Sequence, residues 1–184
     1  MPKKRNGQFI IKKSIQKYKN PWIEVVEDQV IRPDGKSGIF GIVKMVNGIS
    51  VLPLDKNGYV YLTKEFHYAI SKVHIETVSG GIDKNEKPIE AARRELKEEL
   101  GIEAKEWIDL GLVNPFTTVV KSSARMFLAR KLKFEKDDQE ATENIKLVKV
   151  KLEKVVKMVM NNIITHGPSC VLILKADKYL KNSK

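Results

Sequence analysis

The sequence contains one cysteine, Cys170, so no disulfide can form within the chain, and this favours a reducing compartment. No apolar stretch approaches the roughly 18 residues that a membrane-spanning helix needs. The N-terminal residues are basic, but they lack the apolar segment and the small-residue cleavage site of a signal peptide. These absences predict a cytoplasmic protein without a membrane partner.

Low-complexity sequence is also absent. The chain has 184 residues, of which 42% are hydrophobic and 31% are charged, as is typical of globular proteins. This composition excludes collagen-like and wholly disordered chains. The length suits one compact domain with a substantial core. We find no internal repeat or linker in residues 21–184 and assign them to a single domain.

Acidic residues are scarce at both ends of the chain, which has a net charge of +11. Residues 1–22 hold seven basic side chains and no acidic one, and residues 175–184 have a net charge of +3. Ten of the eleven net charges therefore lie at the ends, and the body between them is close to neutral. We assign residues 1–20 to a basic N-terminal tail. This distribution argues against nucleic acid as the main partner, although a basic protein of this kind invites that hypothesis.

Runs of β-branched and aromatic residues, separated by turn signals such as Asn47-Gly48 and Asn57-Gly58, predict strands and hairpins. The predicted strands cover residues 23–31, 39–46, 49–54, 59–66, 75–78, 107–113, 125–132 and 145–150. The predicted helices cover residues 88–100, 152–165 and 168–180. A mixed β-sheet with a few helices packed on it indicates an α/β or α+β sandwich.

Three glutamates cluster on the first predicted helix. At about 100° per residue, its apolar side chains form one stripe, and Glu95, Glu98 and Glu99 lie on an arc beside that stripe. Glu95 is three and four residues from the other two, so these like charges are neighbours and repel one another. A divalent cation such as Mg²⁺, which prefers carboxylate oxygens, would offset that repulsion. A merely solvated charged face is the competing interpretation of these three residues alone.

The sequence around these glutamates favours the metal site over a solvated charged face. Residues 80–102 read GGIDKNEKPIEAARRELKEELGI, in which five residues separate Gly80 from Glu86 and seven more precede Arg94-Glu95-Leu96. With Glu98-Glu99 and Gly101-Ile102, this stretch resembles the Nudix box at every signature position. We call residues 80–102 the box.

The resemblance implies a hydrolase that cleaves a nucleoside diphosphate linked to another group. It also implies an α/β/α sandwich with a mixed β-sheet, in which the box forms a loop–helix–loop. In the family, residues matching Glu86 and Arg94 orient the acidic cluster, and matching glutamates bind Mg²⁺ or Mn²⁺. The implied metal ligands are the main chain near Gly80 and the side chains of Glu95, Glu98 and Glu99.

Beyond the box, residues 20–180 are most similar to the ADP-ribose pyrophosphatase branch of the family. In that branch, N-terminal strands matching residues 21–46 exchange across a homodimer, and an aromatic side chain near Trp22 or Phe40 stacks on adenine. Residues 64–67 match a strand that meets the substrate's phosphates or sugar, and Pro115 matches a favoured downstream proline. The implied substrate-binding residues are Trp22, Phe40, His67 and Pro115.

Three departures bear on the substrate. His67 replaces an arginine, Gly41 replaces a frequent acid, and Val78-Ser79 replaces Pro-Ala. A neutral imidazole is a weaker phosphate partner than a guanidinium. These changes leave the box chemistry intact and concern ADP-ribose specificity alone.

The family's catalytic base often lies outside the box, in a loop before the last strand. Here that loop, residues 133–143, offers Glu140 and Glu143. We favour Glu140 because Glu143 abuts a predicted strand. Direct action of Glu98 or Glu99 is the competing assignment.

Other reactive side chains give weaker signals. The histidines, His67, His74 and His166, are too dispersed along the chain to argue for a zinc site. Cys170 lies among valine, leucine and isoleucine, as a packed thiol does.

Three functions follow from the sequence. The leading hypothesis is metal-dependent hydrolysis of ADP-ribose or a related nucleoside diphosphate sugar to a nucleoside monophosphate and a sugar phosphate. The alternatives are pyrophosphohydrolysis at an RNA 5′ end, suggested by the basic ends, and nucleotide sensing without catalysis. The complete set of box glutamates argues against the sensor.

Overall fold

The computed structural model of the chain describes residues 4–134 and 145–183. Its strands are β1 (Arg5–Asn6), β2 (Phe9–Lys19), β3 (Ile23–Ile31), β4 (Ser37–Met45), β5 (Gly48–Pro53), β6 (Tyr59–His67), β7 (Lys72–Glu76), β8 (Val78–Gly81), β9 (Ile102–Val113), β10 (Val120–Lys121), β11 (Ala124–Phe134) and β12 (Lys146–Lys151). Its helices are α1 (Pro88–Leu100), α2 (Leu152–Met160) and α3 (Gly167–Asn182). Within the described ranges no helix is both long and apolar enough to cross a membrane.

The chain forms two compact units. The first unit contains residues 4–46 and 114–122, and the second contains residues 47–113 together with the described residues after 122. The first unit is a five-stranded sheet in the order β1-β2-β3-β4-β10. Neighbouring strands of this sheet are antiparallel, except that β10 runs parallel to β4.

The N-terminal residues differ from the sequence prediction. We assigned residues 1–20 to a basic tail, whereas residues 5–6 and 9–19 form β1 and β2. Residues 10–19 of β2 pair with β3 across two irregularities in register. Two side-chain contacts support the pairing: Ser14 donates to Asp28, and Lys17 forms an ion pair with Glu27 at 3.1 Å. The isoleucines and aromatic residues of β2 have high strand propensity. The lysines that stand among them make the segment resemble a basic tail.

The second unit is an α/β/α sandwich, as predicted. It contains a four-stranded sheet, β8-β5-β11-β9, and a three-stranded antiparallel sheet, β12-β6-β7. Successive residues of β5 face opposite sides: Val51 packs in a core cluster with Leu96 of α1, and Leu52 packs in another with Leu172 of α3. Because both faces are covered by helices, the central strands are apolar along their length.

Helix α1 begins and ends at the predicted residues. Pro88 occupies its first turn, where a missing N–H costs no hydrogen bond. The main-chain N–H of Lys87 donates to the carboxylate of Glu90 at 3.0 Å. Gly101 ends the helix in the left-handed conformation, with φ of 62°, which glycine adopts without steric cost. These signals fix where the glutamates lie along the helix.

The approach to the box differs from the single predicted strand over residues 75–78. The structure has two strands there: β7 pairs with β6, and β8 pairs with β5. The chain passes from one sheet to the other at Thr77, whose buried N–H donates to the Ser169 hydroxyl at 3.0 Å. This side-chain acceptor satisfies a main-chain donor that the switch between sheets would otherwise leave unpaired.

The Asn47-Gly48 pair also differs from its predicted hairpin. Strand β5 pairs with β8 and β11. The Asn47 carbonyl accepts the N–H of Ile82 at 2.9 Å, and its side-chain oxygen accepts the N–H of Ser123 at 3.1 Å. Asn47 therefore organises the start of β5 through long-range contacts that a local turn signal does not reveal.

Candidate active site

Arg94 stands at the centre of the box. Its Nε and one terminal nitrogen donate to the two carboxylate oxygens of Glu86, at 3.0 and 3.1 Å. Its other terminal nitrogen donates to Glu95 at 2.8 Å and to Glu98 at 3.1 Å. A further bond of 3.0 Å reaches the main-chain carbonyl of Gly81. One guanidinium thus joins three carboxylates and the main chain of β8.

These contacts change the ionisation of both partners. The hydrogen bonds from Arg94, which outweigh the effect of burial, hold the pKa of Glu86 below its ordinary value. The same bonds to Glu86, assisted by Glu95 and Glu98, raise the already high pKa of Arg94. Arg94 is therefore charged and Glu86 is ionised across the neutral pH range. Glu86 also accepts the N–H of Asp83 at 2.9 Å, which ties the loop before α1 to this pair.

Glycine is required where β8 approaches α1. A Cβ built on Gly80 would lie 2.0 Å from both Cδ and Oε1 of Glu95. Since real Cβ atoms do not approach that closely, only glycine leaves room for the Glu95 carboxylate against the β8 main chain. The geometry brings together two predicted metal ligands, the main chain at Gly80 and the side chain of Glu95.

The apolar stripe of α1 sets the depth of the glutamates. Ala91, Ala92 and Leu96 are fully buried against the sheet. Glu99, beside that stripe, is also buried, with 7% of its surface exposed. Glu98 is more accessible, with 40% of its side chain exposed. The helix therefore presents carboxylates at graded depth, from a buried one to one that solvent can reach.

The donor set fits a hard divalent cation. Glu95, Glu98 and Glu99 offer carboxylate oxygens on one helix, and the main chain of β8 at Gly80 passes close to the Glu95 carboxylate. Mg²⁺ and Mn²⁺ select such oxygen ligands and complete their shell with water or phosphate. Arg94 supplies the positive charge that holds Glu95 and Glu98 together in the protein itself.

The predicted substrate residues lie in different parts of the chain. Trp22, Phe40 and Pro115 belong to the first unit, and the box belongs to the second. Trp22 is 72% exposed, Pro115 is exposed, and the ring of Phe40 meets that of Phe9 edge to face at 5.0 Å. These three side chains stay predictions as substrate contacts. Glu140 and Glu143, the predicted general bases, lie outside the described residues.

His67 faces carboxylates. Its Nε2 lies 2.9 Å from Glu76 and 3.6 Å from Glu65. A second imidazole, that of His166, lies 3.0 Å from the other oxygen of Glu76. Glu65, Glu76 and His166 are not among the site residues predicted from the sequence, in which the histidines are too dispersed to argue for a zinc site. The only local signal is the two-residue spacing of Glu65 and His67, which puts both on one face of a strand.

Comparisons with known proteins agree with the box. The family model of the NUDIX domain matches residues 44–159, more than half of the chain. The model of the nucleoside diphosphate sugar hydrolase N-terminal domain matches residues 12–43. The second match includes most of β2, which lies within the N-terminal tail predicted from the sequence.

Two individual proteins are similar to this chain. An ADP-ribose pyrophosphatase of Bacillus subtilis (strain 168) is 28% identical over 139 residues, which cover 74% of this chain and 75% of the relative. A methanol dehydrogenase activator of Bacillus methanolicus is 26% identical over 88 residues, 47% of this chain and 48% of that protein.

Among solved structures, the crystal structure of an ADP compounds hydrolase has the same fold. It superposes with a TM-score of 0.84 and 18% sequence identity, and the match covers 95% of both chains. The match of the NUDIX model over most of the second unit establishes the family, and the contacts of Arg94 with Glu86, Glu95 and Glu98 agree with it. The chain belongs to the NUDIX domain family.

Proposed function

We propose that this protein is a divalent-metal-dependent pyrophosphohydrolase that cleaves the diphosphate of ADP-ribose or a related nucleoside diphosphate sugar. The products are a nucleoside monophosphate and a sugar phosphate. The observation that carries the proposal is the box itself, in which Arg94 holds Glu86, Glu95 and Glu98 within 3.1 Å of its guanidinium. The Nudix membership supports hydrolysis of a phosphoanhydride.

The chain's own residues divide the work at this site. Glu95, Glu98 and Glu99, with the carbonyl of Gly80, would hold Mg²⁺ or Mn²⁺. A cation bound there polarises the phosphate oxygens and lowers the pKa of an attacking water. Arg94 positions Glu95 and Glu98, and Glu86 fixes Arg94 through two parallel bonds.

The proton of the attacking water needs an acceptor. Glu98 is the best placed of the described acids, because it belongs to the cluster and is partly exposed to solvent. Glu140 stays our proposal from the loop, ahead of Glu143, and direct action of Glu98 or Glu99 stays the competing assignment. Each can be tested by replacement with glutamine.

The substrate class rests on two comparisons. The N-terminal model of nucleoside diphosphate sugar hydrolases matches residues 12–43, and the Bacillus subtilis relative is named an ADP-ribose pyrophosphatase. Both support a nucleotide sugar over an RNA 5′ end. Trp22 and Phe40 supply aromatic surfaces on which a base could stack, and we retain them with Pro115 as proposed substrate contacts.

A second copy of this chain is the partner that we propose for the first unit. That unit exposes eight large hydrophobic side chains: Tyr18, Trp22, Ile39, Phe40, Met45, Val46, Phe116 and Val119. Monomers rarely leave so much apolar surface in contact with water.

Light scattering on the purified protein should give twice the mass of one 21.0 kDa chain, with the same value across a tenfold dilution. The mass of a single chain would contradict the dimer. This measurement is independent of the substrate.

The function is tested by supplying Mg²⁺ with a panel of nucleotide sugars and with 5′-triphosphorylated RNA. ³¹P NMR should show the diphosphate signals of ADP-ribose or a close relative replaced by two monophosphate signals. Glu98→Gln should lower kcat by at least about a hundredfold, because it removes a charged metal ligand.

Glu153→Gln is the matched control, since Glu153 is an exposed glutamate on α2, and it should leave kcat unchanged. No turnover of any nucleotide sugar would contradict the proposal. Turnover of the RNA alone would replace it with the 5′-end activity.

The variant Gly80→Ala tests the metal site while leaving the stability of the fold nearly unchanged. The backbone of Gly80 is outside the left-handed region, so alanine fits the chain conformation, and the added Cβ meets only side-chain atoms of Glu95, namely Cγ, Cδ and Oε1, which must move aside. We therefore expect the free energy of unfolding to stay nearly unchanged. We expect the affinity for Mn²⁺, followed by the electron paramagnetic resonance of the free ion, to fall at least about tenfold.

Gly167→Ala is the control, because a Cβ there meets no described atom within 4 Å. Unchanged Mn²⁺ affinity in Gly80→Ala would show that Glu95 is not a ligand. Loss of folding would show that Gly80 has a structural role instead.

A further inference from the structure

A second group of ligand-type side chains lies on β6 and β7 and shares no residue with the box. Glu65 and His67 are two apart on β6 and therefore point to the same face. Glu76 on β7 pairs with Thr63, which is on that face too, so the three side chains converge from two strands. One ligand atom from each residue lies within 4.8 Å of the others.

The distances suit one small cation. His67 Nε2 is 2.9 Å from the nearer oxygen of Glu76 and 3.6 Å from that of Glu65. Ligands bound tetrahedrally to Zn²⁺ at 2.0–2.1 Å stand about 3.3 Å from one another. The two observed separations from His67 bracket that value, and the third pair of ligand atoms lies within 4.8 Å.

His67 Nε2 is a buried nitrogen that lacks a hydrogen bond among the described residues. It has a carboxylate oxygen only 2.9 Å away, yet the direction of approach does not make a hydrogen bond. A simple ion pair would align the N–H with its acceptor. A buried ring nitrogen that lies beside two carboxylates without a hydrogen bond is instead placed as a metal ligand would be.

The carboxylate oxygen of Glu76 that does not face His67 is held by a second histidine. Glu76 is buried, with 5% of its surface exposed, and its second oxygen lies 3.0 Å from His166 Nδ1. That nitrogen also lies 2.8 Å from the hydroxyl of Ser169, which joins it to the buried network around Thr77. Contacts of this kind hold the outer side of metal ligands in proteins.

The donor set of the cluster suits a cation. Two carboxyl groups and one imidazole meet there, with one ligand atom of each within 4.8 Å of the others. Acidic side chains attract a divalent cation and repel a phosphate, unless a cation lies between them.

We propose that Glu65, His67 and Glu76 form a binding site for a borderline divalent transition metal such as Zn²⁺ or Co²⁺, separate in its ligands from the box. Imidazole is a ligand that Zn²⁺ and Co²⁺ accept readily, and hard Mg²⁺ prefers oxygen alone. Three protein ligands leave the fourth position to water or to an anionic oxygen. His166 is a positioning residue that acts through Glu76.

The test is a Co²⁺ titration of the full chain without a histidine tag, in excess Mg²⁺ so that the hard oxygen site is saturated. The wild type should develop the visible absorption of a four- or five-coordinate Co²⁺ ion, saturating at one ion per chain. Zn²⁺ should abolish this absorption by displacement. The readout is independent of catalysis.

His67→Asn and Glu65→Gln are the variants, because both residues are only partly buried and their loss should leave the fold intact. Each should abolish the absorption or lower the Co²⁺ affinity at least about tenfold. Thermal unfolding without metal checks that these chains are folded. Glu98→Gln is the matched control and should keep the wild-type titration, since it changes only the box.

Wild-type titration in both His67→Asn and Glu65→Gln would overturn the proposal, and so would the absence of any Co²⁺ absorption. Loss of the absorption in Glu98→Gln alone would assign the Co²⁺ to the box. None of these results bears on whether a nucleotide sugar is hydrolysed with Mg²⁺, so this inference and the proposed function can fail separately.

Discussion

The bonds from Arg94 to Glu86, Glu95 and Glu98 are the interaction on which the rest of the site depends. Acids this close on one helix repel each other, and a guanidinium with five donors in a fixed plane can contact several of them at once. Through Gly81 the same group ties the acids to β8. The helix and the strand thus hold the carboxylates in a set arrangement before any cation binds.

The fold supplies the remaining constraints. Leu96 packs between the glutamates and the sheet, and Gly101 stops the helix one residue after Leu100. Gly80 lets β8 pass against Glu95 at a distance that no larger residue permits. Glu76 and Gly80 are only a few residues apart in the sequence, but they lie in β7 and β8, in different sheets, because the chain changes sheets at Thr77. One short segment therefore contributes to both clusters of ligand-type side chains.

The features predictable from the sequence were local ones. The first and last residues of α1 could be predicted because its proline, its terminal glycine and the spacing of its apolar residues all indicate the same helix. The bounds of β3 could also be predicted, from its run of β-branched residues. Strand β2 was missed because its lysines suggest a tail, although pairing with β3 outweighs their effect. The grouping of His67, Glu76 and His166 joins residues 99 positions apart, and no periodicity within one element encodes it.

The central claim is that Arg94 organises the carboxylates for a divalent cation, and Mn²⁺ binding to Arg94→Lys tests it directly. Lysine keeps the charge but cannot bridge three acids, so the Mn²⁺ affinity should fall by about 10–100-fold in a chain that still folds. Arg93→Lys is the neighbouring control, since that guanidinium lies over the ring of Trp107. It should bind Mn²⁺ as the wild type does. Wild-type affinity in Arg94→Lys would contradict the account.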